Sequence, residues 1–428
     1  RTLPNEDTSV TDISSWKMAV GSCKQYAHGF FNNLGDIADR DDLDMMIWLG
    51  DYIYEFPNDP LVDGSDINRI PFPNEFLYTL SQYRGRYLSH HLDEDVKRAH
   101  QRLPWIMVWD DHEVVNDYWK DGAPDRWQND SILDFEQRKL NGYQAFFEWT
   151  PVRNSDYDPN SGLYKSFKIG QLFDLIMVDA RSQRTEPKDS VLEAVGVPVE
   201  EHYAFGEIQG VWFMNELKES KQRQAKWRII GSDVVFGQSP PEQVFAAQDV
   251  EGRVFFGEDQ LEGYDAERQI IIDSIVKNNI NNVISFSGGP HTGIAQKIFS
   301  TGNPIRNDVN SFPVFTEFTM DGMSAPKLFE DERFVPFQNE YADKWGWVSP
   351  YFRLERDGYC IVDINNERVK VEYWINENTR SSQTESKLDE TFCIYPDVVE
   401  FNECEENEEI GFLERLLGKL WGDETDVE

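Results

Sequence analysis

Short runs of apolar residues recur along the N-terminal two thirds of the chain, and each run ends in polar or glycine residues. Runs of this length with such boundaries are typical of buried strands in a parallel sheet. The six runs are 18–23, 43–49, 105–109, 172–178, 227–230 and 283–287. The segments between them with helix-like periodicity are 30–39, 83–102, 131–148 and 264–278. The pattern therefore predicts strands that alternate with helices.

Beyond about residue 310 the pattern changes to alternating apolar and polar positions, in 316–319, 358–362 and 368–375. A period of two is typical of antiparallel strands. Together the two patterns predict an α/β fold of the layered α+β kind, in which two sheets lie against each other with helices outside, in the order αββα.

The domain organisation predicted from the sequence is one domain over residues 1–400 and an acidic tail over 401–428. Six apolar residues of the tail have the spacing of one helical face: Ile410, Leu413, Leu416, Leu417, Leu420 and Trp421. We expect a short amphipathic helix here, which packs on its own domain or binds a partner or a second copy of the chain.

The charge of the chain is strongly negative, with 78 Asp and Glu against 41 Lys and Arg and a net charge of −37. Such a surface repels nucleic-acid phosphates and anionic lipids, so binding to a nucleic-acid polymer is not expected. The hydrophobic content of 39% is enough for packed cores. Because no apolar run reaches about 18 residues, no membrane-spanning helix is predicted.

Cys393 and Cys404 lie in a polar segment at a loop-closing spacing, which predicts a disulfide in an oxidising compartment. Cys360 opens an apolar run and is interpreted as a small buried residue of a strand. The chain begins at Arg1 rather than Met, which fits a cleaved leader or a trimmed chain. An extracellular or secretory location is therefore expected.

The segment Gly50-Asp51-Tyr52-Ile53-Tyr54-Glu55 follows the second apolar run. A carboxylate at this point, such as Asp51, can bridge two metal ions, and the phenolate of Tyr54 can bind a trivalent ion. Taken singly, Asp51 also fits a helix N-cap and Tyr54 a half-buried aromatic residue.

The segment from Trp109 to Asp117 carries six side chains that can bind metals within nine positions: Asp110, Asp111, His112, Glu113, Asn116 and Asp117. Unpaired Asp and His are costly to bury, so this density is difficult to explain as core. The alternative is a solvated acidic turn.

These segments resemble the PhoD family of alkaline phosphatases and phosphodiesterases, in the metallophosphoesterase superfamily, from Met18 to about Ile375. The segment 21–23 is similar to the first motif of the family, 49–55 to its most characteristic motif and 109–116 to the third. The resemblance implies a metallophosphoesterase-like sandwich over the predicted domain.

The resemblance also implies a centre that contains Fe³⁺ and Ca²⁺. The implied metal ligands are Cys23 and Tyr54 on iron, Asp51 as the bridge and Asn116 on calcium, with Asp111 and His112 organising the shell. The implied reaction is hydrolysis of small phosphate monoesters or diesters by a metal-bound hydroxide.

Two histidines and two arginines are candidates for roles in this reaction. His291 or His112 would assist proton transfer to the leaving alkoxide, because each has an intrinsic pKa in the useful range. Arg181 and Arg184 follow the fourth apolar run and would hold the non-bridging oxygens of the substrate, as in similar family segments. The alternative for the two arginines is structural pairing with carboxylates.

The chain departs from the family at Gly288-Gly289-Pro290-His291, where the family usually has Gly-Asp-x-His. Gly289 stands at the position of the aspartate ligand, and its lack of a carboxylate is expected to weaken metal binding or to leave a water molecule in the open position. A second function is therefore open, that of a non-catalytic, secreted acidic protein that retains a metal for structure, binding or colour.

Overall fold

The computed structural model describes residues 3–59, 62–124, 133–158, 160–187, 202–237, 259–301, 310–326, 346–353 and 356–404. The strands in these ranges are β1 (Trp16–Lys24), β2 (Met45–Leu49), β3 (Trp105–Val108), β4 (Tyr157–Asp158), β5 (Gly162–Leu163), β6 (Lys165–Ile169), β7 (Phe173–Met177), β8 (Trp227–Ser232), β9 (Val283–Ser287), β10 (Gly293–Phe299), β11 (Pro313–Thr319), β12 (Gly322–Ser324), β13 (Tyr351–Arg353), β14 (Asp357–Ile364), β15 (Val369–Asn376) and β16 (Lys387–Ile394). The α-helices are α1 (Asn32–Asp39), α2 (Leu80–His91), α3 (Glu94–Arg102), α4 (Phe135–Trp149), α5 (Gly206–Gln222) and α6 (Asp265–Lys277).

Two seven-stranded sheets organise the fold. The first has the order β16-β15-β14-β1-β2-β3, with β12 pairing in parallel with the end of β1. The second has the order β13-β10-β11-β9-β8-β7-β6. Strands β1, β2 and β3 are parallel, as are β7, β8, β9 and β11. The loops that follow these parallel strands are where α/β proteins usually bind ligands.

The main core lies between the two sheets, where Val20 and Leu49 of the first sheet share one apolar cluster with Leu175 and Ile229 of the second. Helices α1 to α4 cover the outer face of the first sheet, and α5 and α6 cover the outer face of the second. Burial of each large apolar side chain contributes about 1.5–3 kcal/mol. The αββα arrangement predicted from the sequence is confirmed.

Two of the predicted elements have a different form in the structure. The single helix expected over 83–102 is two helices, because the Asp93 carboxylate accepts the N–H groups of Asp95 and Val96 and caps a new helix, α3. The segment 316–319, expected to be antiparallel, pairs in parallel with β9 and antiparallel with β10. It is buried on both faces, and alternation of residue types does not report the direction of a neighbouring strand.

The C-terminal part of the described chain is tied to the first sheet. A disulfide joins Cys393 and Cys404, with Cα atoms 5.2 Å apart, which is the pairing expected from the sequence. Cys393 itself is buried, near the end of the largely polar strand β16. Cys23 and Cys360 carry free, buried thiols.

The predicted tail helix over 410–421 lies outside the described residues. Phe401 packs against the main core, and the disulfide holds the chain as far as Cys404. Because the chain beyond Cys404 lies outside the described residues, the domain boundary at residue 400 stays a prediction. Among the helices that the structure describes, none has the length and apolar character needed to cross a membrane.

Candidate metal centre

Four segments with metal-binding side chains meet at the ends of four strands. Cys23 lies at the end of β1, Asp51 follows β2, Asp111 and His112 follow β3, and His291 follows β9. The first four are buried, and the side chain of His291 is 14% exposed. The strands come from both sheets, so this edge of the sandwich gathers residues that are far apart in the sequence.

The first group consists of Cys23, Asp51 and His291, whose possible ligand atoms all lie within 4.8 Å of one another. The hydroxyl of Tyr54 joins this group, because it lies 3.0 Å from Asp51 Oδ2 and 2.8 Å from His291 Nε2. The structure thus brings together four of the predicted site residues, with thiol, carboxylate, phenol and imidazole as donors.

The second group consists of Asp51, Asp111 and His112, again with ligand atoms within 4.8 Å. Asp51 belongs to both groups, which is the arrangement that a bridging carboxylate requires. Glu55 supports this group: its Oε2 lies 2.6 Å from His112 Nδ1 and its Oε1 accepts the backbone N–H of Asn116 at 2.8 Å. The calcium-ligand role of the Asn116 side chain stays a prediction.

Three of these residues have a strained backbone. Cys23, Asp51 and His291 have φ values of 57°, 56° and 53°, in the left-handed region that residues with side chains rarely adopt. Each such residue costs about 1–2 kcal/mol. Asp51 is preceded by Gly50 at φ 88°, where a Cβ atom would collide with the side chain of Asp110. The fold therefore maintains an unfavourable local geometry that directs these side chains to one point.

In the absence of a metal, the surroundings of the first group keep its thiol and its phenol protonated. Burial, followed by the charge of Asp51, raises the pKa of the Cys23 thiol and of the Tyr54 hydroxyl well above their ordinary values. Burial also opposes ionisation of Asp51, but His112 and His291 outweigh it and lower the pKa of that carboxyl. Binding of a cation would therefore displace protons from the thiol and the phenol.

For His112, the neighbouring charges favour the protonated imidazole more strongly than burial opposes it. Burial lowers its pKa, but the charges of Asp111, Glu55 and Asp51 raise it well above the ordinary value. In the metal-free protein this favours the charged imidazole, with Nδ1 facing Glu55, and a cation bound at Nε2 would displace a proton. Its other nitrogen, Nε2, is the one left for the centre.

Glu113 is a structural residue that the sequence reasoning did not single out. Its carboxylate accepts the backbone N–H groups of Asp51 at 3.1 Å, Tyr52 at 2.5 Å and Asp110 at 2.8 Å. It thereby ties the loop after β2 to the loop after β3. Burial, followed by the charge of Asp51, raises the pKa of Glu113 to about 8.

The two arginines lie at the same edge and bind carboxylates. Arg181 donates from Nε to Asp110 at 2.5 Å and from its two terminal nitrogens to Asp259 at 2.5 and 2.7 Å. Arg184 donates to Asp259 Oδ1 at 3.0 Å and to the hydroxyl of Tyr264 at 2.9 Å. The structural pairing expected as the alternative is therefore present, and the substrate-binding role of the arginines stays a prediction.

The chain matches a known protein family. The family model for PhoD-like phosphatases matches residues 18–373, which is most of the chain and includes every candidate ligand described above. The chain belongs to the PhoD-like phosphatase family.

Two relatives of this PhoD-like chain illustrate the extent of the likeness. Alkaline phosphatase D of Bacillus subtilis (strain 168) is 28% identical over 355 residues, which cover 80% of this chain and 58% of the relative. The chain thus spans less than two thirds of that protein. A solved structure of PhoD has a TM-score of 0.78 at 23% identity and covers 95% of this chain and 74% of its own, which shows a shared fold.

Gly289 is where this PhoD-like chain departs from the family pattern. Its φ is 93°, and a Cβ atom here would lie 3.3 Å from the carbonyl oxygen of Asp233 and 3.4 Å from the side-chain amide of Gln260. Gln260 is itself anchored, because its Oε1 accepts the N–H of Val235 at 2.9 Å. The space next to residue 289 is therefore narrow and lined by amide and carbonyl groups.

The residues that are present nevertheless fit a metal centre. Two groups of donors share Asp51, and the thiol, phenol and imidazole of the first group are side chains that bind transition metals in proteins. Neither group depends on a side chain at residue 289.

Proposed function

We propose that this chain hydrolyses small phosphate esters at the centre built around Asp51. The observation that carries the proposal is the position of Asp51 between the Cys23–His291 group and the Asp111–His112 group. A carboxylate shared by two donor groups is the arrangement expected for adjacent cations. Membership in the PhoD-like phosphatase family supports a phosphoester bond as the target.

The donor types suggest two kinds of ion. Thiolate and phenolate, from Cys23 and Tyr54, favour Fe³⁺, whereas the oxygens of Asp111 and Asn116 favour Ca²⁺. Bound ions of this kind would neutralise phosphoryl charge and lower the pKa of a water molecule. The chain supplies the ligands, their strained orientation and a largely buried setting.

Two histidines have geometries suited to proton transfer. His291 Nδ1 lies 2.7 Å from the carbonyl oxygen of Pro326, which fixes the proton on Nδ1 and leaves Nε2 directed at Tyr54. Neighbouring carboxylates raise the pKa of His112, whose Nδ1 lies against Glu55. This raised pKa suits His112 to give a proton to the leaving alkoxide, and Nε2 of His291 is placed to accept a proton.

The surroundings suggest the type of substrate and location. A net charge of −37 disfavours polyanionic polymers, so we propose a small phosphate ester. The disulfide between Cys393 and Cys404 supports an oxidising location, extracellular or secretory.

The proposal is tested with para-nitrophenyl phosphate and bis(para-nitrophenyl) phosphate, before and after treatment with a chelator. We expect hydrolysis that is lost with the metal and falls by about a hundredfold or more in Asp51→Asn. Asp158→Asn, at an exposed aspartate outside the centre, serves as the matched control and should keep the rate. A protein that retains its metals and hydrolyses neither ester would instead be a metal-binding protein without catalysis.

A further inference from the structure

We infer that Asp259 determines substrate charge, and that through it the centre prefers phosphodiesters to phosphomonoesters. The inference rests on the proposed function and concerns a residue to which neither the family motifs nor the sequence reasoning gave a role. It starts from the position of the Asp259 carboxylate between Arg181 and Arg184.

The carboxylate binds the arginines as a phosphate group would. Both oxygens of Asp259 accept from the two terminal nitrogens of Arg181, in the bidentate geometry that guanidinium groups use for carboxylates and phosphates alike. Arg184 adds a third hydrogen bond to Oδ1 and a fourth to the carbonyl oxygen of the same residue. Asp259 thus occupies the surfaces with which the two arginines would hold a substrate.

The remaining guanidinium nitrogens are also bound. Arg181 Nε donates to Asp110, and Arg184 Nε donates to Tyr264. Every nitrogen of the two side chains therefore has an acceptor within the described part of the protein. Burial opposes the charged form of Asp259, but the two arginines outweigh it and hold the pKa of its carboxyl well below the usual range. Asp259 therefore stays ionised, and both guanidinium groups are already paired before a substrate arrives.

Asp259 also adds negative charge to the metal centre. Oxygens of Asp259, Asp111 and Asp117 lie within 4.8 Å of one another. A substrate with two negative charges is therefore met by an additional carboxylate rather than by free guanidinium groups.

This arrangement distinguishes phosphate monoesters from diesters by their negative charge. A phosphate monoester is mostly doubly charged above its second pKa, near 6, whereas a diester carries one negative charge. The second charge of a monoester is repelled by Asp259 or requires Asp259 to leave both arginines. A nearby unit charge changes affinity by about tenfold or more at the effective dielectric of a protein surface. The diester avoids most of this cost.

The test compares Asp259→Asn with Asp259→Glu, which keeps the charge, and with Asp273→Asn, an exposed aspartate on α6 that serves as the matched control. We expect the ratio of kcat/KM for para-nitrophenyl phosphate to that for bis(para-nitrophenyl) phosphate to rise about tenfold in Asp259→Asn. Asp259→Glu and Asp273→Asn should keep the original ratio. Calorimetric binding of inorganic phosphate, a readout independent of turnover, should tighten only in Asp259→Asn.

An unchanged ratio and unchanged phosphate affinity in a folded Asp259→Asn protein would overturn the inference. Loss of bound metal in that variant, measured by elemental analysis, would also overturn it, because Asp259 would then act as a metal ligand together with Asp111 and Asp117. Failure of the wild type to hydrolyse either ester would contradict the proposed function alone. Phosphate binding would still decide the role of Asp259 in that case.

Discussion

At the scale of single residues, Gly289 matters because it combines a missing carboxylate with a positive φ of 93°. The resemblance to the family implies an aspartate at this position, and its carboxylate would add one donor to the proposed centre. In this chain a new side chain would meet Asp233 and Gln260 at contact distances of 3.3–3.4 Å. The effect of restoring the carboxylate is therefore the sum of a gain in metal binding and a cost in backbone strain.

We expect Gly289→Asp to raise metal content and the rate of phosphoester hydrolysis, while the free energy of unfolding of the metal-free protein falls by about 1–2 kcal/mol. Gly289→Ala is the matched control, since alanine brings the same strain without a ligand. Elemental analysis and thermal unfolding of the two variants separate the two effects. If Gly289→Asp bound no more metal than Gly289→Ala, the absent carboxylate would not be what limits the centre.

The sequence indicated most of the candidate ligands but few of the residues that support them. Four candidate ligands could be predicted because each lies at or just after the end of an apolar run and matches a family motif: Cys23, Asp51, Tyr54 and His291. The role of Asp259 could not be predicted from the sequence, because its partners Arg181 and Arg184 lie 78 and 75 positions away along the chain. No local pattern reports a contact over that separation.

At the scale of elements, the loops after β2 and β3 are held in register by Glu113. Glu113→Ala would leave three buried N–H groups without an acceptor, each at a cost of about 1–3 kcal/mol. We expect a large loss of stability and, because Asp51 would no longer be oriented, weaker metal binding. Thermal unfolding and metal titration measure the two effects.

Glu317→Ala is the matched control for this experiment. Glu317 is also a buried carboxylate, and it accepts the N–H groups of Phe236 at 2.8 Å and Gly237 at 2.7 Å. Its loss should lower the melting temperature with a smaller effect on metal affinity. Equal loss of metal affinity in both variants would show that general destabilisation, rather than the position of the β2 and β3 loops, explains the effect.

The elements themselves were predictable to different degrees. Buried parallel strands such as β2, in which all five residues are apolar and buried, stand out from the sequence. Helix α5 was not predicted, because its buried positions include Gln209, Gly210 and Ser220, which interrupt an apolar stripe. The buried side-chain amide of Gln209 is satisfied by two hydrogen bonds: it donates to the carbonyl oxygen of Asp179 and accepts the N–H of the same residue.

At the scale of the whole molecule, buried carboxyl groups make stability depend on pH. Glu267 of α6 lies far from the ligands in sequence and accepts the N–H groups of Ala204 and Phe205. Burial raises its pKa from 4.5 to about 7, although the two N–H groups lower it in part. A raised pKa in the folded state means that its contribution is fully present below about pH 4.5 and is lost as the pH rises through about 7.

We therefore expect the metal-free protein to become less stable as the pH rises from about 4.5 to about 7, with Glu267 contributing on the order of 3 kcal/mol of the change. Glu113, with a pKa of about 8, acts in the same direction. Glu267→Gln keeps an acceptor for both N–H groups and should reduce the slope in thermal unfolding. Glu219→Gln, at an exposed residue of α5, is the matched control and should leave the slope of stability against pH unchanged. A slope that is the same in both variants would contradict the assignment.

The central claim is that the ions held by the Cys23–Asp51–Tyr54–His291 group are required for phosphoester hydrolysis. The most direct test is to measure bound iron and calcium, visible absorbance and hydrolysis rate on the same samples of wild type, Cys23→Ser and Tyr54→Phe. We predict that the wild type contains iron with a charge-transfer band, and that rate and iron content fall together in the two variants. A metal-free protein that hydrolyses the esters at the full rate would contradict the account.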